Sequence, residues 1–156
     1  MSIEQKSVVI TSAVRTAIGK FRGSLKNMQG HELGSVVIKE SIKRSNLKLN
    51  DVDELIIGQV LTGATGQNPA RQAAILAGLP IEKTAYVINQ VCGSGLSAIS
   101  LGFNSIKLRD ANIIIAGGME SMTNAPKLVF KSKRGEPVSP EDLVSVICDR
   151  GIQDDT

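Results

Sequence analysis

At 156 residues, with 42% hydrophobic and 21% charged residues, the chain is long enough for one domain with a real core and too apolar for disorder. A net charge of +3 and 3% aromatics, with no Trp, exclude the basic stripe with stacking rings that a nucleic-acid surface needs. Two distant cysteines, Cys92 and Cys148, and one histidine, His31, exclude a disulfide scaffold and a zinc site. The start MSIEQKSVVI carries Glu4 and no long apolar stretch, and no run approaches a membrane span. A cytoplasmic protein with no membrane and no nucleic-acid partner is expected.

In chain order, Val8, Val9 and Ile10 form a β-branched run that predicts a first strand, continued by Val14 after a short break. The connection RTAIGKFRGSLKN follows. From His31 to about Ser45, Leu33, Val37, Ile38 and Ile42 fall on one side of a helix. Asn50 and Asp51 resemble a turn before Leu55, Ile56, Ile57 and Val60, a second strand. Asn68 suits an N-cap, Pro69 the first helical position and Gly78 the exit of a second helix. Residues 85–91 (AYVINQV) read as a third strand, 93 to about 107 as a third helix, and 113–116 as a fourth strand closed by Gly117 and Gly118. This alternation predicts an α/β fold: a layered, mostly parallel sheet with helices on both faces and right-handed crossovers. After Ala125 the pattern weakens, and KSKRGEPVSPEDL, with two prolines, reads as a loop or boundary. The loose cluster Lys127, Lys131, Lys133 and Arg134 reads as solvated loop.

The stretch INQVCGSGLSAIS, residues 88–100, carries the candidate chemistry. Cys92 stands at the junction of a strand with a helix. Backbone N–H groups and the positive end of the helix dipole favour thiolate there. Gly93, Ser94 and Gly95 let a substrate or another backbone approach closely. Ser97, Ala98, Ser100 and Gly102 make a helix suited to burial between layers. Two other readings stand beside the nucleophile. A free cysteine packs equally well as an inert small hydrophobe. Gly93, Gly95 and Ala98 also satisfy G-x-G-x-x-G/A, with Glu120 as a ribose-binding acid, although two strand–helix units precede the motif.

Residues 88–99 resemble the acyl-enzyme signature of thiolases. SAVRTAIGKFRGSL, HELG at 31–34, GQV at 58–60, GQNPARQAA at 66–74 and AGGMESMTNAP at 116–126 resemble further segments of that family in the same order. The resemblance implies a truncated half of a two-half thiolase-like fold. Residues 1–124 would be the amino-terminal half and 125–156 the beginning of the loop domain. It implies acetyl-CoA acetyltransferase chemistry, with Cys92 carrying the acyl thioester and its backbone N–H serving as an oxyanion donor. Acetyl-CoA or a 3-ketoacyl-CoA would be the substrate, with no further cofactor and no metal. The alternative is an inactive remnant that acts only as an oligomerising module. Complete members exceed twice this length, and their second half supplies an Asn-containing segment, a Gly-His-Pro motif and a Cys-x-Gly motif. None of these occurs here, so His31 and Cys148 read as structural, Cys148 on a short helix. The third strand resembles the one that pairs with its copy across the family's dimer interface. That implies a homo-oligomer, or docking of a separately encoded second half.

Overall fold

In the computed structural model, which describes residues 7–126, the apolar run at Leu55, Ile56 and Ile57 becomes the middle strand of a three-stranded parallel sheet. The strands are β1 (Glu54–Gly58), β2 (Thr84–Ile88) and β3 (Ile114–Gly118), in the order β2-β1-β3. Gly58 is level with Ile88 on one side and Gly118 on the other, so all three strands end along one rim. The expectations for residues 127–156 lie outside the described residues; they are the Pro-containing loop, the cationic cluster and a short helix at Cys148.

Each helix begins and ends where local chemistry dictates. Helix α1 (Gly30–Arg44) opens with the Glu32 carboxylate accepting the Gln29 backbone N–H at 2.7 Å, and closes with Lys43 and Arg44 against the negative end of the dipole. Helix α2 (Pro69–Ala77) has the Asn68 side chain accepting the Arg71 N–H at 3.1 Å, Pro69 at its first position, and Gly78 at φ +92° as its exit. Helix α3 (Ser94–Leu108) buries Ser94, Ala98 and Gly102, a stripe of small residues spaced four apart.

Strand alternation sorts the layers. Leu55 and Ile57 point to the face where Ile38 and Ile42 of α1 and Ala70, Ala73, Ala74 and Ala77 of α2 form the core. On the opposite face α3 lies so close that a Cβ on Gly102 would stand 3.2 Å from the Ile114 side chain. Travel from β1 to β2 uses α2 on one face. The return from β2 to β3 uses α3 on the other, as a constant crossover hand requires. Leu55 and Ile56 are at most 1% exposed, and each such side chain contributes about 1.5–3 kcal/mol by leaving water.

Three expectations are corrected. Val8, Val9 and Ile10 form no strand: residues 8–14 make no backbone hydrogen bond among the described residues, because no neighbouring strand lies within reach. The third strand stops at Ile88, not Val91. The Asn89 side chain takes the Val91 N–H at 2.9 Å, and Val91 turns to φ +49°. Val60 likewise lies past the end of β1.

Candidate active site around Cys92

Connections leaving β1 and β2 go to opposite faces of the sheet, which opens a crevice at their carboxyl ends, where open α/β sheets bind ligands. Cys92 lies in the connection that follows β2. Its thiol is free and exposed, two residues ahead of the first residue of α3.

The turn that presents Cys92 is held from both sides. The Ser94 hydroxyl accepts the Gln90 N–H at 2.8 Å and donates to the Val91 carbonyl at 2.6 Å. The Gly93 and Ser94 N–H groups go to the carbonyls of Gln90 and Val91 at 3.0 and 3.1 Å. The Ser97 hydroxyl reaches the Gln90 side-chain oxygen, and the Asn89 amide reaches the Val60 carbonyl at 3.2 Å. Among the described residues the Cys92 N–H donates to no protein atom. Val91 sits in the left-handed region, where a β-branched residue is a true outlier, so about 1–3 kcal/mol of strain is stored beside the thiol.

Gly58 explains how α3 reaches this position. A Cβ there would lie 2.5 Å from the Ser94 carbonyl carbon and 2.7 Å from the Gly95 nitrogen, so only hydrogen lets the first turn of α3 rest on the end of β1.

Glu120, the acid that a nucleotide reading requires, is committed elsewhere. Its Oε2 accepts the N–H groups of Val60 and Leu61 at 2.9 and 3.2 Å, tying the segment after β3 to the segment after β1. His31 lies in the first turn of α1, on the sheet face away from α3, and its Nδ1 is buried without a partner. No hydrogen bond joins it to Cys92 among the described residues. No group of three or more His, Cys, Asp or Glu that could hold a metal ion occurs among the described residues. No helix there is long and apolar enough to cross a membrane.

Sequence patterns brought Cys92, Gly93 and Gly95 to one turn. They missed the roles of Val91, Asn89 and Gly58 and the hydrogen bonds of the Ser94 hydroxyl, which hold that turn in place. The available signal was Asn89, since an Asn just past a strand often caps its own backbone two residues on.

The fold and site define a layered α/β protein with an exposed cysteine at the carboxyl rim of a parallel sheet. The family model for the thiolase N-terminal domain matches residues 8–156, and the chain belongs to the thiolase family. An acetyl-CoA acetyltransferase of Cupriavidus necator is 50% identical over 147 residues, covering 94% of this chain and 37% of the relative. One of Rhizobium meliloti is 56% identical over 120 residues, covering 77% of this chain and 30% of the relative. A cytosolic acetyl-CoA acetyltransferase of Mus musculus is 43% identical, covering 99% and 38%. Among solved structures, the Acat5 thiolase of Ascaris suum in complex with coenzyme A superposes with a TM-score of 0.76 at 43% identity. That match covers 80% of this chain and 32% of the other. The matches thus span between about three tenths and two fifths of the length of these relatives.

Proposed function

We propose that the chain is the nucleophile-bearing part of an acetyl-CoA acetyltransferase, with Cys92 as the acyl carrier. The observation that carries this reading is the exposed Cys92 thiol on a strained turn at the amino-terminal end of α3. The sulfur attacks the thioester carbonyl carbon of acetyl-CoA, and the negative oxygen of the tetrahedral intermediate meets the undonated Cys92 N–H. The intermediate collapses by breaking the bond to the CoA sulfur. CoA leaves with the proton lost by Cys92, and the acetyl group stays on the enzyme. A second acetyl-CoA, as its enolate, takes the acetyl group to give acetoacetyl-CoA. In the reverse direction, CoA thiol attacks the acyl-enzyme formed from a 3-ketoacyl-CoA. The base for these proton transfers lies outside the described residues.

Membership of the thiolase family and the relatives' names support this reading, and the name of the mouse relative supports a cytosolic setting. The division at residue 124 is part of the same proposal.

Intact mass and CoA release after incubation with acetyl-CoA test it. One acetyl group on Cys92 and no turnover is the expected result, with no acetylation of Cys92→Ala. Failure of Cys92 to acetylate while it still reacts with iodoacetamide overturns the acyl-carrier role and leaves the oligomerising module.

A further inference from the structure

Hydrogen bonds along the carboxyl rim of the sheet share amide groups end to end. The Leu61 N–H donates to Glu120 Oε2 at 3.2 Å. The carbonyl of that same peptide group belongs to Val60, and it accepts the Asn89 side-chain amide at 3.2 Å. The oxygen of the Asn89 amide accepts the Val91 N–H at 2.9 Å. The carbonyl of the 90–91 peptide group in turn accepts the Gly93 N–H at 3.0 Å. Head to tail, the 60–61 peptide, the Asn89 side chain and the 90–91 and 92–93 peptides all point toward one carboxylate. The chain crosses from the connection after β3 to the one after β1, and from there to the one after β2.

Its far end grips the peptide groups on both sides of the 91–92 group, whose own N–H, that of Cys92, donates to no protein atom among the described residues. The carbonyl of the 91–92 group is held separately, by the Ser94 hydroxyl at 2.6 Å. An amide that donates to a charged acceptor becomes a better acceptor itself, and aligned amides strengthen one another. The charge on Glu120 thereby stiffens bonds that its own atoms do not make. No Lys or Arg pairs with Glu120 among the described residues, and its Oε1 is buried without a partner. A strap needed only to hold Val60 and Leu61 would cost less desolvation as a neutral amide.

We infer that Glu120 is a positioning residue for acyl transfer at Cys92. It acts through the 60–61 peptide, Asn89 and Val91 to fix the angle at which the Cys92 N–H meets the oxygen of the tetrahedral intermediate. This role rests on the acyl-carrier reading of Cys92. Glu120 is the anchor of the chain, and the exposed Asn89 is its joint. Neither side chain is hydrogen-bonded to Cys92 among the described residues, so both act on it only through the turn.

Two reagents separate this role from a general loosening of the fold. Acylation by p-nitrophenyl acetate passes through an oxyanion that calls on the Cys92 N–H, whereas alkylation by iodoacetamide is a direct displacement at carbon and forms none. Both are read at Cys92 by peptide mapping of the full 156-residue chain. Glu120→Gln is expected to lower the ratio of acylation to alkylation rates about fivefold to tenfold. Asn89→Ala lowers it as much, and the double variant no further, because both changes break one chain. Exchange of the Val91 and Gly93 amides quickens about threefold or more in Glu120→Gln, although Glu120 touches neither. Glu120→Gln keeps the shape and an acceptor oxygen; should it unfold, Asn89→Ala, on an exposed side chain, decides by the ratio alone. The inference is overturned by equal slowing of both reactions, by additive losses in the double variant, by an unaltered ratio in Asn89→Ala, or by unchanged exchange at Val91 and Gly93. A parent chain that takes acetyl from the ester but not from acetyl-CoA refutes the acetyl-CoA reading and leaves this one standing. A parent whose Cys92 is alkylated but takes acetyl from neither donor overturns both.

Discussion

Val91 carries backbone strain next to the proposed nucleophile, and glycine removes it. Val91→Gly is expected to raise stability by up to about 1 kcal/mol, since the left-handed region costs glycine nothing and this side chain is 64% exposed. The same change loosens the turn and slows acetylation of Cys92, the usual trade of stability against activity. Thermal melts and acylation rates measured on one preparation check both halves of the statement. Asp53 gives a pH dependence. Its Oδ2 accepts the N–H groups of Asn112 and Ile113 at 2.8 and 3.1 Å, and these bonds hold its carboxyl below the usual range, with Lys83 assisting and slight burial opposing. A depressed carboxylate contributes stability above its unfolded value, about 4, and loses it as pH falls through its own lower value. Asp53→Asn should therefore cost about 1 kcal/mol at pH 7, a figure kept small because the side chain is partly exposed. Urea melts at neutral and strongly acidic pH should show that difference disappearing.

At the scale of elements, the close approach of α3 to β1 makes Gly58 the least replaceable small residue described. Gly58→Ala pushes a methyl into backbone atoms of Ser94 and Gly95 and is expected to cost about 2–3 kcal/mol. It should also change the rate at which iodoacetamide labels Cys92, because the turn rides on α3. Gly34→Ala meets the Met119 sulfur, the end of a flexible side chain, and should cost less than about 1.5 kcal/mol. The helices were legible in the sequence because their signals are local. Asn68, Pro69 and Gly78 sit within a few residues of the backbone groups they satisfy. The run at Val8, Val9 and Ile10 has equal β propensity, but a strand exists only through a neighbour, and propensity says nothing of whether one is present. The end of β2 was misplaced for a related reason. Val91 looks like strand, and the Asn89 side chain outbids that preference. For the site, the cysteine was legible by its motif, whereas the backbone angle that presents it was not.

Among the described residues several large apolar side chains face outward together. Leu96 and Leu108 are more than 70% exposed on α3, with Ile99 and Phe103 about half exposed beside them. On the border of the sheet away from β3, β2 has no partner strand among the described residues. The chain is therefore expected to self-associate at micromolar concentration, first as a two-fold dimer through β2. Sedimentation equilibrium should give a dimer mass, with amide protection confined to residues 84–88. A monomer with a cooperative melt would show that these faces are tolerated in water.

Parallel pairing also governs how such a sheet can be born. Glu54 pairs with Thr84 and Ile114, thirty and sixty residues later, and no hairpin offers a local start. On the ribosome, β1 emerges with Leu55, Ile56 and Ile57 uncovered, and at about 5–20 residues per second it waits several seconds for β3. At first α1 is the only completed element able to shield it; α2 joins once residue 77 has been made, and α3 covers the other face only after residue 108. Trigger-type chaperones that cradle nascent apolar segments should thus raise the soluble yield, and synthesis halted before residue 114 should send the product into inclusion bodies.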